Sequence, residues 1–180
     1  MDEKRLIKLI LSDFFRFRIP KNYVSRFFYF FILIFYEGFR AVLIYRLCHC
    51  FRKVPVLKEL LFLVKILFVK LEINSNANIG SGLMIAHPQC IVIGLNSKIG
   101  SNATLESGVT IGTDFEGMYS GGGYPCIGNN VSIGTGAKII GPITIGDNCF
   151  IGANSVVTKD MPANSIIAGV PAKVLRSLAK

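Results

Sequence analysis

A six-residue period constrains this chain more than any other feature. Ile73, Ile79 and Ile85 stand six apart; after a two-residue shift Ile93, Ile99, Leu105 and Ile111 continue; after a longer break Ile127, Ile133, Ile139, Ile145, Ile151 and Val157 follow. Glycine comes directly after eight of these thirteen residues, and small or β-branched residues sit four places on, as at Ala77, Ser97, Ala103, Val109, Val131, Ala137 and Ser155. Each unit therefore reads as one short strand and one turn, with three units closing a triangular coil and the aliphatic residue pointing inward onto its equivalent in the next coil. Glycine suits corners where the backbone needs positive φ. Hairpin-linked strands would show a sustained period of two, which is missing. The count predicts a little over four coils across residues 72–160. Both ends need covering, by the preceding segment and by a C-terminal tail over 161–180.

Residues 1–71 follow a different rhythm. Leu6, Ile7, Ile10, Leu11, Phe14 and Phe15 recur at helical spacing, as do Phe39, Val42, Leu43, Arg46 and Leu47, and Leu60, Leu61, Val64, Leu67 and Phe68. Pro20 and Pro55 punctuate the segment, so three or four helices are predicted. This part also holds most of the net charge of +9: residues 1–72 carry 14 Lys and Arg against 6 Asp and Glu, and residues 73–180 carry 6 against 5. The imbalance fits contact with an anionic surface, such as a membrane leaflet or a phosphate-bearing substrate, or else a solubilising face. The longest uncharged apolar run, Phe27 to Tyr36, has ten residues, about half of what a bilayer span takes. Peripheral association is thus the membrane option.

Met1 to Arg18 is charged and amphipathic and does not read as a signal peptide. Five cysteines without framework spacing argue against a secreted disulfide scaffold and for a cytoplasmic location. Cys48, His49 and Cys50 lack a second cluster to complete a tetrahedral site, so they read as helix packing and no metal is expected. Nucleic acid is not expected as a partner.

The repeat, together with Val156-Val157-Thr158-Lys159-Asp160 and Ala168-Gly169-Val170-Pro171-Ala172-Lys173, resembles the hexapeptide-repeat acyltransferases. Within them, Gly82-Leu83-Met84-Ile85-Ala86-His87-Pro88, Ile91-Val92-Ile93-Gly94 and Ser107-Gly108-Val109-Thr110-Ile111-Gly112 look like the serine acetyltransferases and related polysaccharide O-acetyltransferases. The resemblance covers about residues 72–176. It implies a left-handed parallel β-helix, acetyl-CoA as acyl donor, and a homotrimer with active sites between neighbouring subunits. Left-handedness is an implication of the resemblance alone, since β crossovers are ordinarily right-handed.

Such a reaction needs a base for the attacking hydroxyl, and histidine titrates near neutral pH. His87 is the one histidine of the repeat region and matches the catalytic position of the resembled enzymes. Stacking arithmetic sets Ser107 one coil beyond His87 and Glu106 beside Ala86, where a carboxylate orients the imidazole or contacts the acceptor; a solvated corner glutamate is the alternative. For CoA the resemblance points to Thr135, Ala153, Thr158, Lys159 and Arg176, with Lys173 close by. Residues 113–126 break the repeat with Gly117, Gly121, Gly122 and Gly123, which reads as an extruded loop bordering the acceptor pocket with Tyr124 as a wall.

The chain departs from the serine-specific pattern in several places. Ala86 stands where serine acetyltransferases carry Asp before the catalytic histidine. Glu72 and Asn74 stand for an Asp and a His at the start of the coil. Gly123 replaces the Arg that pairs with the amino-acid carboxylate, and Tyr124 replaces a second His. A carboxylate acceptor loses its charge-assisted partner, so the expectation is acetylation of a sugar hydroxyl in a surface-polysaccharide precursor, with serine as the alternative acceptor. A metal-dependent hydratase of the β-helical kind would need three histidine ligands, which the repeat lacks. A non-catalytic trimeric scaffold is the remaining reading.

Overall fold

The computed structural model describes residues 3–17, 36–68, 70–114 and 123–178. Three helices come first: α1 (Glu3–Arg16), α2 (Glu37–Phe51) and α3 (Pro55–Phe68). The apolar run Phe27–Tyr36 and any helix between α1 and α2 lie outside the described residues, Tyr36 excepted.

From Glu72 the chain winds as a parallel β-helix of triangular section. The first face stacks β1 (Glu72–Ile73), β4 (Val92–Ile93), β7 (Thr110–Gly112), β10 (Lys138–Ile140) and β13 (Val156–Val157). The second stacks β2 (Asn78–Ile79), β5 (Lys98–Ile99), β8 (Cys126–Ile127) and β11 (Thr144–Ile145). The third stacks β3 (Met84–Ile85), β6 (Thr104–Leu105), β9 (Ser132–Ile133), β12 (Phe150–Ile151) and β14 (Ser165–Gly169), and ends in β15 (Ala172–Ser177). All neighbours are parallel except β14 and β15. The inward aliphatics pair in register, as in Ile85 with Leu105 with Ile133 with Ile151 with Ile167, and all five are buried.

The ladder runs past Asp160. Ile145 bridges to Met161, and Phe150 and Ile151 pair with Ile166 and Ile167. The coil thus takes in much of the segment that the period alone leaves as a tail. Its signal is weak there because Met161 and Ile167 lack the following glycine.

The corner between the second and third faces carries a device that the period does not reveal. Asn102, Asn130, Asn148 and Asn164 all have φ between 55 and 60°, a region asparagine tolerates better than other side chains. Their amides form a ladder, each Nδ2 donating to the next Oδ1 at 3.1, 3.0 and 2.9 Å.

The helices close the open end of the first coil. Amides of that coil donate to the second, as Asn78 N does to Ser97 O and Met84 N to Ala103 O, so its own carbonyls face outward without strand partners. Side chains around α2 fill them. Tyr45 Oη donates to Ala77 O (2.8 Å), Arg46 Nη1 to Ile79 O (2.7 Å), Arg46 Nη2 to Gly80 O (2.6 Å), and Tyr36 Oη to Ala86 O (3.0 Å). His49 Nδ1 lies 2.8 Å from Ser75 O; a carbonyl only accepts, so the ring donates there and its Nε2 accepts from Arg52 Nη1 at 3.2 Å. Burial, with the charges of Arg52 and Arg46, pushes the His49 pKa below its ordinary value.

Asp13 of α1 completes the cap. Its carboxylate accepts from Arg46 Nε (2.8 Å), Arg46 Nη2 (3.0 Å) and the Leu83 amide (2.8 Å), with Asp13 and Arg46 at 0% and 1% exposure. Burial raises the Asp13 carboxyl above the ordinary carboxylate range against the opposing pull of Arg46. Basic side chains of the kind that suits an anionic membrane are thus partly committed to folding: Arg46 and Arg52 as above, and Arg16 to Asn102 O and Thr104 Oγ1. Among the described residues, no helix is long and apolar enough to cross a membrane. The apolar stripe of α1 is divided: Leu6 and Phe14 are buried, as is Phe17 just beyond the helix, whereas Ile7, Leu11 and Phe15 are exposed.

Candidate active site

The two-residue shift in the repeat falls at the corner after the third face, and it produces a longer turn, residues 86–91, between β3 and β4. His87 sits on that turn and is exposed. The turn is anchored from both sides: the Gln89 amide donates to His87 O (2.9 Å), the Gly108 amide donates to Gln89 O (2.8 Å), and the Ala86 amide donates to Leu105 O (3.0 Å).

The register extends the corner into a column. Residues two places after each inward aliphatic of the third face are His87, Ser107, Thr135, Ala153 and Gly169. Coils repeat at about 4.8 Å, so His87 and Ala153 are about 14 Å apart along the axis. The adjacent column is Ala86, Glu106, Gly134, Gly152 and Ala168, and Lys173 pairs across from Ala168 at its end. Arg176 pairs across from Ile166 on the same face. Glu106 is half-buried one coil from Ala86, but among the described residues no hydrogen bond joins it to His87.

Three of the residues singled out by sequence lie elsewhere. Thr158 and Lys159 follow β13, at the corner between the first and second faces. Tyr124 is at that corner too: its ring packs on Gly94, where an added Cβ would lie 2.7 Å from Cε1. Within one chain, then, His87 and Ser107 occupy one edge of the prism, and Tyr124, Thr158 and Lys159 another. The loop itself, 115–122, lies outside the described residues, among them Gly117, Gly121 and Gly122. The coil resumes at Cys126, which is already in β8.

Three neighbours of the His87 corner were not apparent from sequence. Tyr36 grips the Ala86 carbonyl, and Gly38 lets α2 lie against the Ile85 carbonyl, where a Cβ would collide. Lys138 Nζ donates to Gly108 O at 2.6 Å, from an outward position in register with Thr110. Among the described residues no group of three His, Cys, Asp or Glu side chains is arranged to hold a metal ion.

Two family models match the coil: Bacterial transferase hexapeptide (six repeats) over residues 127–159 and Hexapeptide repeat of succinyl-transferase over residues 90–114. The serine acetyltransferase of Helicobacter pylori is 38% identical to this chain over 150 residues, which is 80% of this chain and 84% of that protein. This chain belongs to the serine acetyltransferase family of hexapeptide-repeat acyltransferases. Its fold is the left-handed parallel β-helix of that family, preceded by helices. The serine acetyltransferase of Synechococcus elongatus is 37% identical over 146 residues, 80% of this chain but 59% of its own length, so the chain spans about three-fifths of that relative. A solved serine acetyltransferase in complex with CoA superposes with a TM-score of 0.77 at 31% identity, covering 96% of this chain and 70% of that one. These family members carry serine in their names, the acceptor that the sequence reading ranked second to a sugar.

Proposed function

We propose that the chain transfers an acetyl group from acetyl-CoA to a hydroxyl, with His87 as general base. The observation that carries this is the exposed His87 on a lengthened turn at the head of the Ser107, Thr135 and Ala153 column, in a chain of the serine acetyltransferase family. His87 takes the proton from the acceptor hydroxyl as its oxygen forms a bond to the thioester carbon. Backbone amides of the tight turns stabilise the resulting oxyanion. The carbon–sulfur bond then breaks, and the departing thiolate takes its proton from the imidazolium. Glu106, one coil beyond Ala86 and, among the described residues, not hydrogen-bonded to His87, contacts the acceptor. Thr135 and Ala153 let the donor's arm run along the backbone, and Lys173 and Arg176 pair with its phosphates.

A homotrimer is part of this reading. The separation of His87 and Ser107 from Tyr124, Thr158 and Lys159 supports it, because one groove can hold all five only when two subunits each contribute an edge. The names of the relatives favour serine as acceptor. A second reading, a sugar hydroxyl, is favoured by Gly123 and Tyr124 standing where the family carries Arg and His, and by Ala86 standing for Asp.

Release of free thiol from acetyl-CoA, followed with L-serine and with a panel of sugars and nucleotide sugars, tests both. Faster turnover of L-serine than of every sugar establishes the first acceptor, and the opposite order the second. His87→Ala should lower kcat by about 10²- to 10⁴-fold; unchanged turnover sinks the proposed base.

A further inference from the structure

A cleft of about 770 Å³ opens between the cap helices and the first two coils, beside the second face and one corner away from His87. Arg5 and Lys8 line it from one side of α1, Arg52 from the end of α2, and Asn76, Asn78 and Ser81 from the coil. Among the described residues no Asp or Glu lines it. Arg46 also reaches it, but its charge is already matched by Asp13. Among the described residues no carboxylate pairs with Arg5, Lys8 or Arg52. Arg52 has one nitrogen, Nη1, engaged on His49, which leaves Nε and Nη2 able to donate.

We propose that this cleft binds a phosphate-bearing anion, at a site separate from the His87 column. A solubilising face is convex and mixes both signs of charge. This surface is concave and, among the described residues, free of acids, and its volume falls within the roughly 300–1,000 Å³ of ligand pockets. Three uncompensated cations converging on a recess concentrate positive potential there. Guanidinium forks match phosphate oxygens. The Asn76 and Asn78 amides and the Ser81 hydroxyl supply neutral donors around them. The inference does not depend on acetyl transfer, so either can fail alone.

Calorimetric titration of the full chain with pyrophosphate tests it, alongside co-sedimentation with phosphatidylglycerol vesicles and with phosphatidylcholine vesicles as control. Arg5 and Lys8 are exposed, so the Arg5→Gln/Lys8→Gln variant should fold and keep its melting temperature. Saturable pyrophosphate binding weakened at least about tenfold in that variant supports a soluble phosphate ligand. Sedimentation with phosphatidylglycerol alone, released by the same variant, supports the same site with the phosphate on a lipid headgroup. Absence of both, or binding indifferent to the variant, overturns the site. A raised KM for acetyl-CoA in the variant overturns its separateness from the donor groove.

Discussion

Replacing Asp13 by alanine should destabilise the folded chain by about 4–6 kcal/mol. An uncompensated buried guanidinium costs about 3–5 kcal/mol, and Arg46 is only 1% exposed. The Leu83 amide loses its acceptor as well, at about 1–3 kcal/mol. The two penalties overlap, because Arg46 Nη2 and Leu83 N share Asp13 Oδ1 and Arg46 keeps its bonds to Ile79 and Gly80. Arg46→Met has a different signature. Burial already raises the Asp13 carboxyl, and the substitution removes the strongest opposing influence. A raised folded pKa means stability that is complete below the ordinary carboxylate range and lost as pH rises through the folded value. The stability of Arg46→Met should therefore fall as pH rises above the ordinary carboxylate range, and adding Asp13→Ala should abolish that fall. Urea unfolding followed by circular dichroism, at one fixed protein concentration because association alters apparent stability, reads both effects. A cost for Asp13→Ala below about 1 kcal/mol, or identical pH profiles for Arg46→Met and the double variant, would refute the cap as the keystone of the first coil.

Three further outcomes follow from the same geometry. The lowered His49 pKa means stability complete above the ordinary histidine value of about 6.5 and lost as pH falls through the folded value; His49→Gln should lack that acid-side decline in melting temperature, and retention of it reassigns the decline to another group. Ile139, fully buried between Ile111 and Val157, should cost about 2–5 kcal/mol as alanine and about 0.5–1.5 as valine; equal urea midpoints for the two variants would contradict inward stacking. Asn130 has φ 56° and holds the middle of the asparagine ladder, so Asn130→Ala should be less stable than Asn130→Gly, by about 1–2 kcal/mol; the reverse order in calorimetry would show that the ladder, not the backbone, carries the position.

The inward residues of the coil were legible because one physical demand recurs at fixed spacing: each aliphatic must bury against its equivalents above and below, as Leu105 does between Ile85 and Ile133. The same arithmetic correctly set Glu106 beside Ala86. Periodicity failed where a residue answers to one partner only. Arg46 sits on the apolar stripe of α2 and is as buried as the stripe implies, yet nothing in the spacing reveals that its partners are Asp13, Ile79 and Gly80. Tyr36 and Ala86 are fifty residues apart with no common pattern. The asparagine ladder is legible in the same period, since Asn102, Asn130 and Asn148 each stand three places after an aliphatic of the second face. Ile7, Leu11 and Phe15 share the helical spacing of α1 yet are exposed, because that spacing marks an apolar face without saying how much of it a neighbour covers. The edge on which Tyr124 lies follows from counting back from Ile127, a step hidden by the loop.

Under the proposed function, the choice of acceptor turns on Gly123. An arginine there would have to begin with a Cβ that collides with Pro142, while Tyr124 next to it is held on Gly94. The loss of the carboxylate partner is thus built into the packing of this corner, and a serine acceptor would need another cation to hold its carboxylate. Charge-assisted hydrogen bonds contribute about 1.5–3 kcal/mol, a factor of roughly 10 to 150 in kcat/KM. L-serine and L-serinamide share the hydroxyl and the amine and differ only in that group. If no cation takes over the role lost at residue 123, the two should be turned over with kcat/KM values within about tenfold of each other. A preference for L-serine well above tenfold in the thiol-release assay would mean that the carboxylate is recognised from another position, and would remove the main objection to serine as the acceptor.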